Sequence, residues 1–168
     1  MSLTLINSPG LSTSNAYVSL ATCSEMLEMD IHRYSTWSSL STTNQIACII
    51  FATSLLDIGM NWSGTKNTTT QFLDWPRDDV TDKNDEDVTS TGIPTDIKMA
   101  TSFYSFFISQ ENRTGDSDTA GFKSLKAGSL AMVIDKYDRK SVMPDIVWQM
   151  LLPYGTKMSS LTRTLVRK

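Results

Sequence analysis

Two stretches of this chain are apolar on every side when wound as helices, and that limits what it can fold into. From Thr42 to Gly59, Ile46, Ile49, Ile50, Thr53 and Leu56 recur at spacings of three and four, while Cys48, Phe51 and Leu55 project from the opposite side. From Pro94 to about Ser109, Ile97, Ala100, Thr101, Tyr104, Phe107 and Ile108 form one face, and Met99, Phe103 and Phe106 lie on the other. A helix apolar all round is normally buried all round. A chain of 168 residues has room for one core. Either its remaining segments wrap both helices, or neighbouring copies do.

The ends of these helices are marked. Thr42 with Gln45 makes a capping-box pattern, Gly59 stands where a C-terminal glycine would, and Pro94 suits the first helical position. An earlier helix carries Leu20, Cys23, Leu27 and Ile31 on a narrow stripe, with Ser19 as N-cap or Thr22 and Glu25 as a competing capping box. A fourth, short helix starts at Pro144, carries Ile146, Val147, Met150 and Leu151, and stops at Pro153. Residues 122–134 read as extended, with Gly128 and Ser129 marking a bulge or tight turn, so one bent strand or a short hairpin fits. Residues 60–92 have no sustained period and make an unusually long connection. The expected fold is mainly α: a small bundle of about four helices, a long irregular connection and a short β element near 122–134. Residues 1–18 read as an N-terminal arm, 19–154 as the helical domain and 155–168 as an extended tail.

Few residue types that carry catalysis or hold metals are present. The single histidine, His32, stands alone, and its expected place is near the end of the first helix, where it favours the helix C-terminus. Asp82, Asn84 and Glu86 alternate like calcium ligands, but an EF-hand loop would need glycine at Asp87 and glutamate at Ile93. A solvated acidic loop is the expected outcome. The glycines match neither a phosphate-binding loop nor a dinucleotide fingerprint. Cys23 and Cys48 sit in helical patterns and read as small hydrophobes without a disulfide. The expectation is a protein that is not an enzyme, with no cofactor and no metal.

Charge bears on partners. The net charge is -3, with a sequence pI near 5.0, the wrong sign for a protein that binds by neutralising phosphates. Arg163, Arg167 and Lys168 form the visible basic cluster. Trp62 and Trp75 could stack on bases, but their neighbours Asp74, Asp78 and Asp79 are acidic. No apolar run is long enough to cross a bilayer, and the first ten residues lack a signal peptide's basic start, so the chain reads as soluble and unexported, with no membrane partner.

Several stretches occur together in one order: Asn15-Ala16-Tyr17-Val18-Ser19-Leu20-Ala21, then Gln45-Ile46-Ala47 with Ala52-Thr53 and Leu56-Asp57, then Leu73-Asp74-Trp75-Pro76-Arg77. They continue with Ile93-Pro94, Ile97-Lys98 and Ala100-Thr101, then Lys123-Ser124-Leu125-Lys126-Ala127-Gly128-Ser129-Leu130, and Leu151-Leu152-Pro153-Tyr154. In this order they resemble tailed-phage head-to-tail connector, or adaptor, proteins, whose members often carry a DnaT-like single-stranded-DNA-binding label. The resemblance implies a mainly helical virion subunit made in the host cytoplasm. It would assemble as a homo-oligomeric ring of about twelve copies below the portal protein, joining it to the next neck, stopper or tail component. Genomic double-stranded DNA would pass through the lumen without specific binding. The Ser and Thr richness and the acidic run after Arg77 depart from that pattern.

On this reading Phe51, Leu55, Phe103, Phe106, Trp62, Trp75 and Arg77 are candidates for the subunit interface, and Leu161, Arg163, Leu165, Val166 and Arg167 for a tail that docks on the portal. The two-faced helices are the independent support for assembly. The other cover for them is the long connection itself, through Trp62, Phe72, Leu73 and Trp75. The rival function is a DnaT-like single-stranded-DNA-binding protein contacting DNA through Trp62, Trp75 and the basic tail.

Overall fold

The structure is a computed structural model describing residues 3–115, 124–127, 130–133 and 140–158. Its architecture is mainly α, with five helices among those residues. The first, α1 (Leu20–Glu28), is capped by Ser19, whose Oγ accepts from the Thr22 N–H at 3.1 Å. Of the two start signals the earlier one therefore operates. The helix stops at Glu28, so Ile31 leaves the expected stripe and is 84% exposed. His32 lies past the helix end on the surface, where its N–H bonds the Asp30 carboxylate.

A short α2 (Tyr34–Ser38) follows, unforeseen in the sequence because five residues are too few to display a period. It buries Trp37 completely. Then comes α3 (Thr42–Gly59), capped by Ser41 in place of the Thr42 and Gln45 box. Gln45 turns inward and its Nε2 donates to the Trp37 carbonyl at 2.9 Å, tying α3 to α2. The buried stripe is Gln45, Ile49, Ala52, Thr53 and Leu56, rotated slightly from the one expected. Gly59 is the last helical residue, not a cap beyond it, and the chain passes directly into β1 (Met60–Trp62).

Two short strands follow in the connection, β2 (Thr65–Lys66) and β3 (Arg77–Asp78), paired antiparallel. Next is α4 (Thr95–Gln110), with Pro94 at its N-cap. Residues 124–133 form a hairpin: β4 (Ser124–Ala127) pairs antiparallel with β5 (Leu130–Val133), which resolves the choice between bent strand and hairpin. Gly128 and Ser129 lie outside the described residues. After α5 (Asp145–Leu151), a single 3-10 turn (Leu152–Tyr154) takes up Pro153 and leads into β6 (Gly155–Lys157), antiparallel to β1. Ile146 points outward, and Val147 and Leu151 are the residues of α5 that reach the core.

The core has two clusters with α4 between them. On one side Ile97, Ala100 and Tyr104 meet Ala52 and Leu56 of α3, Val147 and Leu151 of α5, and Leu73, Trp75 and Val80 of the connection. On the other, Phe103 and Phe106 lean on Cys23, Leu27, Trp37 and Ile49. This chain thus packs against both faces of α4, leaving Met99, Phe103, Phe106, Phe107 and Ile108 half-buried. Buried hydroxyls on the helices are satisfied by the preceding turn: Thr101 donates to Ile97, Ser102 to Lys98, Ser105 to Thr101 and Thr53 to Ile49, all at 2.7–3.0 Å. A Ser- and Thr-rich sequence can therefore pack these helices without orphaning their hydroxyls.

The terminal segments contribute to the fold as well. Asn15 Oδ1 accepts from the Ile6 N–H and its Nδ2 donates to the Thr4 carbonyl, both at 2.8 Å, closing the N-terminal loop. Ala16, Tyr17 and Val18, read as the end of an arm, are core residues. Gly155–Lys157, read as the start of a tail, zip onto β1, and the Met158 N–H continues the ladder to the Gly59 carbonyl at 2.9 Å. Strand β6 approaches so closely that a Cβ at Gly155 would come within 2.5 Å of the Asn61 carbonyl oxygen. Leu161, Arg163, Leu165, Val166 and Arg167 lie outside the described residues.

Strand β6 should therefore matter to stability: a chain ending at Tyr154 lacks a ladder whose bonds contribute about 1 kcal/mol each, and in urea unfolding should be about 2–4 kcal/mol less stable than a chain ending at Met158.

Candidate interaction surface

The Leu73 to Arg77 stretch of the connection turns inward. Trp75 is 1% exposed and packs edge-on against both Trp62 and Tyr154, each with ring centroids 5.8 Å away. The Trp75–Pro76 peptide is cis, and Gln71 Nε2 donates to the carbonyls of Leu73 and Pro76 at 2.9 and 3.0 Å. Arg77 then grips the turn after β1: its Nε donates to the Ser63 carbonyl at 2.6 Å and its Nη2 to the Gly64 carbonyl at 2.7 Å. Gly64 has φ +66°, and a Cβ there would collide with the Asp78 carbonyl. The motif is a buckle that fixes the connection to the helices.

The outer face of α3 is one of the places where apolar residues remain uncovered. Phe51 is 43% exposed and Ile58 70%, with half-buried Leu55 between them at helical spacing. Beside Phe51 and Leu55 lies an open hollow of about 410 Å³, bounded by Ile108 and by Glu111 to Thr114. Met158, whose N–H bonds the Gly59 carbonyl at the end of α3, is exposed as well. Exposed apolar side chains grouped on one helix face are a feature of surfaces that meet another macromolecule.

A second feature combines aromatics with arginines. The Arg33 guanidinium stands over the rings of Phe103, Phe106 and Phe107, at 4.9, 5.9 and 5.2 Å from their centroids. Arg113 covers Phe107 at 5.0 Å. Both guanidiniums are already neutralised, Arg33 by Asp30 and Arg113 by Glu111. Glu111 also receives Lys140 at 2.6 Å, and these two cations hold its carboxyl below the usual range, with the Lys140 hydrogen bond the larger cause.

A family model described as "Putative DnaT-like ssDNA binding protein" matches residues 1–168. The chain belongs to this family. No curated protein and no solved structure matches it. The match concerns the DnaT-like family under that description and says nothing specific of head-to-tail connectors.

Within this DnaT-like chain the expected interface residues part company. Phe51 and Leu55 share the exposed α3 face. Phe103 and Phe106 are half-buried against the α1 and α2 side of the core. Trp62 and Trp75 are core residues, at 7% and 1% exposure, so neither is presented to a partner or a base. Neither indole N–H has a hydrogen-bond partner among the described residues. Arg77 is occupied by backbone carbonyls. Ile58 was missed because nothing in a single sequence tells an outward from an inward apolar residue on a helix greasy all round. Among the described residues no group of three or more His, Cys, Asp or Glu is placed to hold a metal ion.

Asp57, near the end of α3, joins three segments. Its carboxylate accepts the Tyr17 hydroxyl and, at 3.2 Å, the Asp74 N–H. Burial raises its pKa from the ordinary 3.8 to about 6, with the Asp74 charge adding to the rise and the Tyr17 bond and Lys66 opposing it. The folded state therefore holds the Asp57 proton more tightly than the unfolded chain does. The stability this contributes is present below about pH 4 and lost as pH rises through about 6, up to ~3 kcal/mol. Urea unfolding of the protein and of Asp57→Asn from pH 4 to 7 should show the wild type falling relative to the variant; parallel curves would refute this assignment.

Proposed function

We propose that this protein is a structural subunit, not an enzyme, that assembles with copies of itself as a head-to-tail connector between the portal and the next neck or tail component of a phage. The observation that carries the proposal is the outer face of α3, where Phe51 and Ile58 stay exposed on either side of half-buried Leu55. An exposed phenyl and sec-butyl group on one helical line favour a partner that removes them from water, at about 1.5–3 kcal/mol for each side chain fully covered. The ordered resemblance described above supplies the phage context.

Single-stranded-DNA binding is the second reading, and the family description speaks for it more directly than for the first. The observation in its favour is the Arg33 and Phe103 to Phe107 patch, since arginine and phenyl faces together can take a base. Charge weighs against it. Binding of single strands gains most from freeing the counterions around phosphates, and the arginines of that patch already face carboxylates. The tryptophans that would best report or stack on bases, Trp62 and Trp75, are enclosed.

Anisotropy titration with a labelled oligodeoxynucleotide at low and moderate salt separates the two. The connector reading expects no binding tighter than a non-specific ~100 μM. Micromolar binding that weakens with salt and is lost in Arg33→Ala would replace it. In parallel, the double substitution Phe51→Asp and Ile58→Asp should cost under about 1 kcal/mol of stability and abolish self-assembly seen by light scattering.

A further inference from the structure

Two apolar surfaces of this chain carry rims of opposite charge. The first is the α3 face with Phe51, Leu55 and Ile58. Around it stand Lys140, whose side chain is 75% exposed, Lys157, which bonds Ser141 Oγ at 3.2 Å, and Arg113, which bonds the Ser141 carbonyl at 3.0 Å. Against these three cations stand the carboxylates of Glu111 and, at the start of α5, Asp145. The second surface lies past the end of α1, where Met26, Met29, Ile31, His32, Met99 and Phe103 bound a hollow of about 400 Å³. Met29 and Ile31 are 69% and 84% exposed. Asp30 lines the hollow and is balanced by Arg33, Lys98 precedes Met99 on α4, and the exposed Glu25 and Glu28, in no ion pair among the described residues, precede Met26 and Met29 in the chain, so these groups carry a net negative charge.

One copy cannot bring its own two surfaces together. Met99 and Ile108 border different hollows on the same continuous helix, roughly 14 Å apart at the helical rise per residue. A second copy can.

We propose that these are the two halves of one head-to-tail contact, in which the basic-rimmed α3 face of one copy seats on the acidic-rimmed methionine hollow of the next. The proposal rests on the structural-subunit reading and gives it a specific partner surface. Phe51 and Ile58 are rigid knobs, and three methionines make the hollow adaptable in shape. The opposed rims choose partner and register, because like rims facing each other would repel. A contact between two different patches leaves one of each free on every pair, so it propagates and closes into a ring when the rotation allows.

Complementary charge reversal on the full chain tests this by sedimentation velocity. The wild type should associate, and less so as salt rises. The double variants Glu25→Lys with Glu28→Lys, and Lys140→Glu with Lys157→Glu, should each weaken association at least tenfold. Mixed in equal amounts the two variants should associate again, since the reversed hollow of one then meets the reversed face of the other; this recovery also shows that both are folded. A wild type that stays monomeric at high concentration in low salt overturns the proposal. So does association indifferent to both reversals, or two variants that fail to rescue each other. The connector reading has a separate readout, the presence of the chain in purified phage particles. Absence there with rescue intact sinks the connector role and leaves the contact standing.

Discussion

Burial of α4 on opposite sides is the constraint from which the rest of the fold follows. A sixteen-residue helix with phenylalanines on one side and isoleucine, alanine and tyrosine on the other needs two separate covers. The chain provides them from different parts of its length: α1 and α2 on one side, α3, α5 and the connection on the other. Small residues allow the close approach. Ala100, Ser102 and Ser105 are fully buried, and each hydroxyl returns its proton to the turn before, so neighbouring helices can come near without stranding a polar atom. Enlarging these positions would push the covers apart, which is the overpacking cost of about 1–3 kcal/mol expected in a filled core.

The long connection succeeds as a cover because it is anchored rather than regular. Trp75 supplies a large apolar area, and Trp62 and Tyr154 meet it edge-on, so the end of α3, the connection and the 3-10 turn share one aromatic cluster. Arg77 and Gln71 then spend their donors on backbone carbonyls that have no helix or sheet to satisfy them. The acidic run continues this economy at the surface. Asp82 accepts the N–H groups of Asn84 and Glu86, which lowers its pKa, while Asp79 and Asp85 take left-handed φ values of 58° and 60° to make the turns. These acids build a loop, as expected of a solvated face.

Helical content, most helix starts and the burial of Cys23 were legible from spacing and punctuation, whereas Cys48 is only half-buried. The exceptions have physical reasons. Ser41 outcompeted Thr42 as cap because Gln45, the residue that would complete the box, gains more by bonding the Trp37 carbonyl inside the core. Ile31 was placed on a stripe that its helix never reaches. Residues 16–18 and 155–157 looked like free ends because their low periodicity hides a dependence on distant partners: Tyr17 on Asp57, and β6 on β1. The interface candidates were the least legible, for they depended on which side of each greasy helix the chain would cover for itself. Phe51 and Leu55 kept their place at the surface, and Trp62 and Trp75 did not.

That sorting changes what the charge pattern means. With Trp62 and Trp75 enclosed, the aromatic rings that meet arginines are those of Phe103, Phe106 and Phe107, and those arginines are held by Asp30 and Glu111. A guanidinium that has a carboxylate partner releases no counterion from DNA unless that partner is first displaced, which forfeits the pair. Glu111 holds Lys140 as well, so the three cations Arg33, Arg113 and Lys140 are engaged by the two carboxylates of Asp30 and Glu111. Contact of DNA with this patch would therefore have to displace Asp30 or Glu111 from its arginine first.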